Sequence, residues 1–186
     1  MYFAGWSGGG LALIEFAIEY PDRLRSLTLV EPAAYWILER LGERVDDVDA
    51  PNDFIHGLFG REVSEDELAT FLRLGGLTAS GEEVRLHPNW SRWAGHRATL
   101  SWLSPLLDHP ERAIDGLGRI VAPTLVTKGT RSTPLDRRVV DVLGERLPNA
   151  HVLEFHGDHA HHIEQLDAFL DALEAHLARG RQLGSS

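Results

Sequence analysis

Ala4-Gly5-Trp6-Ser7-Gly8-Gly9-Gly10 sets a serine among glycines, between a short apolar run, Met1-Tyr2-Phe3-Ala4, and a segment of helical spacing from Leu11 to Tyr20. Strand, glycine-flanked serine and helix form the context of a nucleophile elbow, a strained turn that lifts a serine Oγ clear of the sheet. Gly5 and Gly9 lack Cβ atoms, so strand and helix can approach closely there. The next backbone N–H, from Gly8, points to where an oxyanion would form beside an attacking Ser7. A plainer reading of the same turn is a serine that only caps a helix.

Working outward, Leu11, Ile14, Ala17 and Ile18 give one apolar face over residues 8–20. Tyr20-Pro21 ends that helix, because proline pushes the residue before it out of the α region. Leu24 to Val30 reads as a strand, nearly all apolar from Leu27 onward as a strand buried on both faces is, and it stops at Glu31-Pro32. Residues 33 to about 119 hold no convincing strand. They read as helices over roughly 34–45, 64–75, 89–107 and 110–118, with Ser64 and Glu67 forming a capping box. The earlier rhythm then returns: strand Pro123–Thr127, helix Leu135–Leu147, strand His151–Phe155, and a last helix Ile163–Leu177 with Leu166, Phe169, Leu170, Leu173 and Leu177 on one face. Gly180 onward reads as a loose tail. Alternating strands and helices imply a mainly parallel α/β sheet with right-handed crossovers.

Across 186 residues, 43% are apolar and 25% charged, an ordinary balance for one globular core. The net charge of −10 argues against nucleic acid or an anionic membrane as partner, since both need a basic face. No run is long and apolar enough for a membrane span, and no signal-peptide pattern stands at the N-terminus, so a cytoplasmic location is the expectation. The absence of cysteine excludes disulfides, thiolate zinc sites and a cysteine nucleophile.

A serine hydroxyl needs a base to take its proton, commonly a histidine oriented by a carboxylate. His156-Gly157-Asp158-His159-Ala160-His161-His162 offers such histidines in the loop after the last strand. In a parallel sheet that loop opens at the same strand ends as the elbow. The same run is also rich in metal-ligand types, which leaves a metal-dependent hydrolase as an alternative. The metal reading leaves the elbow without a role, and no metal or other cofactor is expected.

Several stretches together resemble the α/β-hydrolase fold superfamily, in its compact, helical-capped branch of esterase-like and C–C-hydrolase-like enzymes. They are Gly5 to Gly10; Ala17-x-x-Tyr20-Pro21-Asp22-Arg23-Leu24-x-Ser26-Leu27-x-Leu29; Glu31-Pro32; Ala122-Pro123-Thr124-Leu125-x-x-x-Gly129; and Phe155-x-x-x-His159-x-x-His162 with Phe169. The resemblance implies Ser7 as nucleophile and His159 as general base, at the family's Gly-x-Gly-His position. Here His156-Gly157-Asp158 replaces Gly-x-Gly, so Asp158 is expected to bear left-handed geometry. The family often carries its acid as Gly-x-x-Asp, but this chain has Gly129-Thr130-Arg131-Ser132. Some members carry it at the end of the strand after the elbow helix, which selects Glu31, with Asp136 as the alternative acid.

The resemblance further implies a hydrolase core of residues 1–33 and 120–182, a helical cap over 34–119 and a tail at 183–186. It implies a pocket for a small, largely apolar ester or related carbonyl substrate lined by Trp6, Trp36, Trp90, Trp93, Trp102 and His162. In the family sheet further strands, and the loop giving a second oxyanion donor, precede the elbow strand. An N-terminally truncated hydrolase is therefore the expectation, and a non-catalytic fragment of that fold is the other reading; losing one such donor costs about 10²–10³ in rate.

Overall fold

The computed structural model describes residues 1–43, 49–77, 83–103 and 114–183. It divides into two compact units, Met1–Arg44 with Glu111–Ser186, and Val45–Pro110.

The first unit is built on a four-stranded, all-parallel sheet in the order β1 (Tyr2–Trp6), β2 (Ser26–Val30), β3 (Thr124–Gly129), β4 (Ala150–Phe155). Register runs Trp6 beside Val30, Val30 beside Thr127, and Thr127 beside Leu153. All five residues of β2 are buried, the polar Ser26 and Thr28 with the apolar Leu27, Leu29 and Val30, as in a strand covered on both faces. Helix α1 (Gly8–Glu19) buries Gly10, Leu11, Ile14 and Ala17, the face read from the spacing. Helix α2 (Trp36–Arg40) follows β2.

The glycines of the elbow divide their work differently from the sequence reading. A Cβ on Gly5 would stand 2.7 Å from the Gly9 carbonyl oxygen, and one on Gly10 would stand 2.8 Å from Pro32 Cβ, whereas a Cβ on Gly9 would meet nothing within 4 Å. Gly5 and Gly10 are therefore what allows the strand, the helix and the Pro32 segment to pack so closely.

The second unit contains α3 (Asp49–Leu58), α4 (Glu65–Leu74) and α5 (Trp90–Gly95), with 3-10 turns at Val84–Leu86 and Arg97–Trp102. The capping box at α4 forms as read: Ser64 Oγ accepts from Glu67 N–H at 3.2 Å, and Glu67 Oε2 accepts from Ser64 N–H at 2.8 Å. Helix α3 was not expected, because Asp49-Ala50-Pro51-Asn52-Asp53 has loop composition; Pro51 is tolerated because the first turn needs no N–H there. The expected helix over 89–107 is instead α5 followed by a 3-10 turn, and its end beyond 103 lies outside the described residues. The same holds for the first part of the 110–118 helix, of which Ile114–Arg119 is a 3-10 turn.

Returning to the first unit, α6 (Pro134–Arg146) lies between β3 and β4, and α7 (His161–Glu164) and α8 (Leu166–Leu183) close the fold. Helix α8 runs through Gly180 rather than ending before it. Its inward stripe is also turned from the expected one: Phe169, His176 and Gly180 are buried, while Leu166 and Leu170 are exposed. His176 donates from Nε2 to the Leu27 carbonyl at 3.0 Å, and a Cβ on Gly180 would stand 3.2 Å from Arg25 O. A hydrogen bond and a close backbone approach thus join the apolar Phe169 on the buried face of this helix. Among the described residues no helix is long and apolar enough to cross a membrane.

Candidate active site

Ser7 sits at the junction of β1 and α1 with φ 52° and ψ −121°. Such a backbone costs a non-glycine residue about 1–3 kcal/mol. At the N-cap position a serine would ordinarily bond a helix N–H, but Ser7 makes no side-chain cap hydrogen bond. The turn is fixed from behind instead, with Ser7 N–H donating to Val30 O and Ser7 O accepting from Leu11 N–H and Ala33 N–H, all at 3.0–3.1 Å. Gly8 opens the helix, so its N–H belongs to the group that a helix start leaves without an intrahelical partner.

Glu31 is the other non-glycine residue with positive φ among those described, at 37°. It is wholly buried at the end of β2. Its Oε1 accepts from Gly129 N–H at 2.6 Å, and its Oε2 lies 2.7 Å from His159 Nδ1. A carboxylate can only accept, so His159 carries its ring proton on Nδ1 and leaves Nε2 bare. Burial works against the Glu31 charge, but the hydrogen bond and charge of His159 prevail, and the carboxyl stays below its ordinary value. Ser132 and Gly129 N–H help in the same direction, although the buried Ser132 hydroxyl falls short of hydrogen-bond geometry with any partner. Burial likewise pulls the His159 pKa down, and Glu31 and Asp136 more than offset it, so it ends above the ordinary 6.5.

Asp136, in the first turn of α6, is the second carboxylate at this histidine, with Oδ2 4.0 Å from His159 Nδ1. Its oxygens accept hydroxyl bonds from Tyr35 at 2.9 Å and Thr133 at 2.6 Å. Burial raises its pKa and, with the Asp136 charge, that of Tyr35. Glu31, Asp136 and His159 each offer an atom within 4.8 Å of the others, a grouping that could hold a metal ion. Every one of those donors already has a hydrogen-bond partner and Nδ1 holds a proton, so the set reads as a hydrogen-bonded network. Of the run His156–His162, His156 faces Arg131 at 2.8 Å, His159 faces Glu31 at 2.7 Å, and His161, whose Nδ1 comes within 3.8 Å of Glu31, spends its own ring nitrogens on Asp158 O and Thr127 Oγ1.

Trp6 joins the elbow to the histidine loop. Its Nε1 donates to His159 O at 2.9 Å, and its ring lies 5.5 Å from that of His159 and 4.8 Å from that of His162. His162 Nδ1 is buried without a partner, and burial lowers the ring's pKa to about 4. In the loop the left-handed residue is Gly157, φ 140°, not Asp158 as expected; glycine absorbs the turn, and Asp158 Oδ1 accepts from Ala160 N–H at 2.8 Å. Ser7 Oγ and His159 Nε2 form no hydrogen bond among the described residues, and such bonds commonly tighten only around substrate.

Of the other pocket candidates, Trp36 is buried in α2. In the second unit Trp90 lies under Arg85 at 5.5 Å, Trp93 stacks on His87 at 4.4 Å, and Trp102 is exposed. The sequence reading missed Tyr35, Thr133, Thr127 and His161. Only His161 carried a signal, as part of the histidine run.

The four-strand parallel sheet, the strained serine turn after its edge strand and the buried acid–histidine pair at the strand ends are the arrangement of one fold. The chain has the α/β-hydrolase fold. Solved structures of this fold include an esterase from Exiguobacterium antarcticum (TM-score 0.69, 19% identity, 94% of this chain and 65% of that one). A bromoperoxidase from Bacillus anthracis is similar too (TM-score 0.69, 20% identity, 95% and 67%). In sequence, the chain is 28% identical over 180 residues to the pimeloyl-[acyl-carrier protein] methyl ester esterase of Chromobacterium violaceum, covering 93% of this chain and 68% of that protein. The chain thus spans about two thirds of the length of these relatives. No family model matches it.

Proposed function

We propose that this chain, which has the α/β-hydrolase fold, is a hydrolase that cleaves small, largely apolar esters or related carbonyl compounds through a serine nucleophile. Ser7 attacks the carbonyl carbon, and His159 Nε2 takes the hydroxyl proton and returns it to the leaving group. Glu31 holds the proton on Nδ1 and stabilises the imidazolium that forms; Asp136 is the alternative for this part. Gly8 N–H, at the positive end of α1, donates to the oxyanion. Trp6 and His162 border the base and are assigned to the substrate side, and the helices of residues 34–119 to substrate selection.

The observation that carries the reading is the pairing of strain with function. The two positive-φ non-glycine residues of the described chain are Ser7 and Glu31, one at the turn that exposes a hydroxyl and the other bonded to the only histidine held by a buried carboxylate at 2.7 Å. Strain of this kind persists where the fold over-determines it, and it clusters at active sites. The names of the relatives, an esterase in each of two comparisons, support the same chemistry.

A fluorophosphonate probe tests it, because it phosphonylates only an activated serine. The expected result is a single label on the peptide containing Ser7 and none in Ser7→Ala, with p-nitrophenyl acetate turnover lost in parallel. Labelling and turnover that survive Ser7→Ala remove the mechanism; a folded chain with neither favours the non-catalytic reading.

A further inference from the structure

His161 has no step in the proposed reaction, yet it is completely buried two residues after His159. Its Nδ1 lies 3.1 Å from the carbonyl oxygen of Asp158, and its Nε2 lies 2.9 Å from Thr127 Oγ1. A carbonyl oxygen only accepts, so Nδ1 carries the proton; the bare Nε2 then accepts the Thr127 hydroxyl. Both nitrogens of a neutral ring are thereby satisfied, and burial favours that neutral form by lowering the pKa. Phe155 stacks on the ring at 5.7 Å and 13°.

The two partners matter by position. The Asp158 carbonyl belongs to the peptide that leads directly into His159, and it also accepts the His161 backbone N–H at 2.9 Å. Thr127 lies in β3, where its own carbonyl accepts the Glu31 backbone N–H at 3.1 Å. One residue of the central sheet therefore references the acid through its backbone and the histidine loop through its side chain.

We propose that His161 is a positioning residue, a strut from Thr127 to the Asp158–His159 peptide that fixes the His159 imidazole against Glu31. The inference rests on the Ser7–His159–Glu31 reading. It also accounts for a sequence with four histidines in seven residues, of which one is the base and another holds that base in place.

The test compares His161→Phe, which keeps the stack on Phe155 and removes both polar bonds, with His161→Asn, which returns an N–H donor at the place of Nδ1. With p-nitrophenyl acetate, kcat of the Phe variant falls about 10- to 100-fold with KM within about twofold, as expected for a misplaced base. The Asn variant recovers to within about threefold of the unsubstituted chain, the scale of one residual hydrogen bond. The low-field proton NMR signal of His159 Nδ1–H shifts in the Phe variant and returns in the Asn variant. Equal kcat in the two variants, or a Phe variant within about twofold of the unsubstituted chain, overturns the strut. If the Phe variant does not fold, Thr127→Val removes the same anchor from its other end; a several-fold loss of kcat at constant KM supports the strut, and unchanged kcat overturns it. Failure of the underlying reading looks different, as absent turnover or turnover that survives Ser7→Ala. The His159 proton signal then decides alone, and an unshifted signal in the Phe variant overturns the inference.

Discussion

Replacing Glu31 with glutamine keeps the length and branching of the side chain and removes its charge. In the native site its two oxygens each take one N–H donor, Gly129 N–H at 2.6 Å and His159 Nδ1–H at 2.7 Å, in a position with no solvent access. The amide of glutamine has one acceptor oxygen and one NH₂, so one donor must now face another donor. If the NH₂ turns to His159, the imidazole proton moves to Nε2, the atom that has to accept from Ser7. The equivalent change in serine proteases costs about 10⁴ in kcat, or roughly 5.5 kcal/mol of transition-state stabilisation. If the NH₂ turns to Gly129, a buried donor is left unsatisfied, which costs about 1–3 kcal/mol of stability. The loss must therefore surface in turnover or in melting temperature. Rates with p-nitrophenyl acetate across the neutral pH range, together with thermal melts, separate the two. Asp136, 4.0 Å from the same Nδ1, is the control. A Glu31→Gln variant that keeps kcat within tenfold and melts normally, while Asp136→Asn loses 10³ or more, would refute the assignment of the acid.

Ser7→Gly is expected to abolish fluorophosphonate labelling while raising stability by about 1 kcal/mol, read as a melting temperature about 2–4 °C higher, because glycine adopts φ 52° without strain. Gly5→Ala is expected to cost about 1–3 kcal/mol by overpacking against the Gly9 backbone, whereas Gly9→Ala, with nothing within 4 Å of the new methyl, is neutral or stabilising by up to about 1 kcal/mol; chemical denaturation measures both. Since the His159 pKa lies above 6.5, kcat/KM should fall with acid from a midpoint above that value, and a midpoint at or below it contradicts the site. The Glu31–His159 pair should stabilise the fold fully between the ordinary values of the two groups, 4.5 and 6.5: Glu31, held low, loses its contribution as pH falls through its depressed pKa, and His159, held high, loses its own as pH rises through its raised one. His162 should titrate near 4 by NMR, and a midpoint near 6.5 would place its ring in solvent rather than against Trp6.

The local sequence was informative wherever one short stretch sufficed to impose its own geometry. The turn at Ser7, the mostly apolar β2, the Ser64–Glu67 box and the proline after Tyr20 each act within a few residues and each formed as read, although at the turn the close approach falls to Gly5 and Gly10 rather than to Gly5 and Gly9. Elements set by distant contacts were read less well. Helix α3 hid behind loop-forming residues, and the buried face of α8 includes His176 on Leu27 and Gly180 near Arg25, contacts made across well over a hundred residues of chain.

The site divides along the same line. The sequence alone could name a serine on a turn, a loop rich in histidines and two carboxylates, because residue type and order carry that much. Which histidine meets which carboxylate is a matter of ångströms between strand ends. Only the parallel register of β2, β3 and β4, bringing Glu31, Gly129 and the loop after Phe155 to one edge, gives Glu31 its 2.7 Å contact and leaves Asp136 at 4.0 Å. Strain is likewise absent from a list of residues. That Ser7 and Glu31 both hold positive φ follows from hydrogen bonds to Val30, Ala33 and Thr127, which exist only once the sheet has assembled.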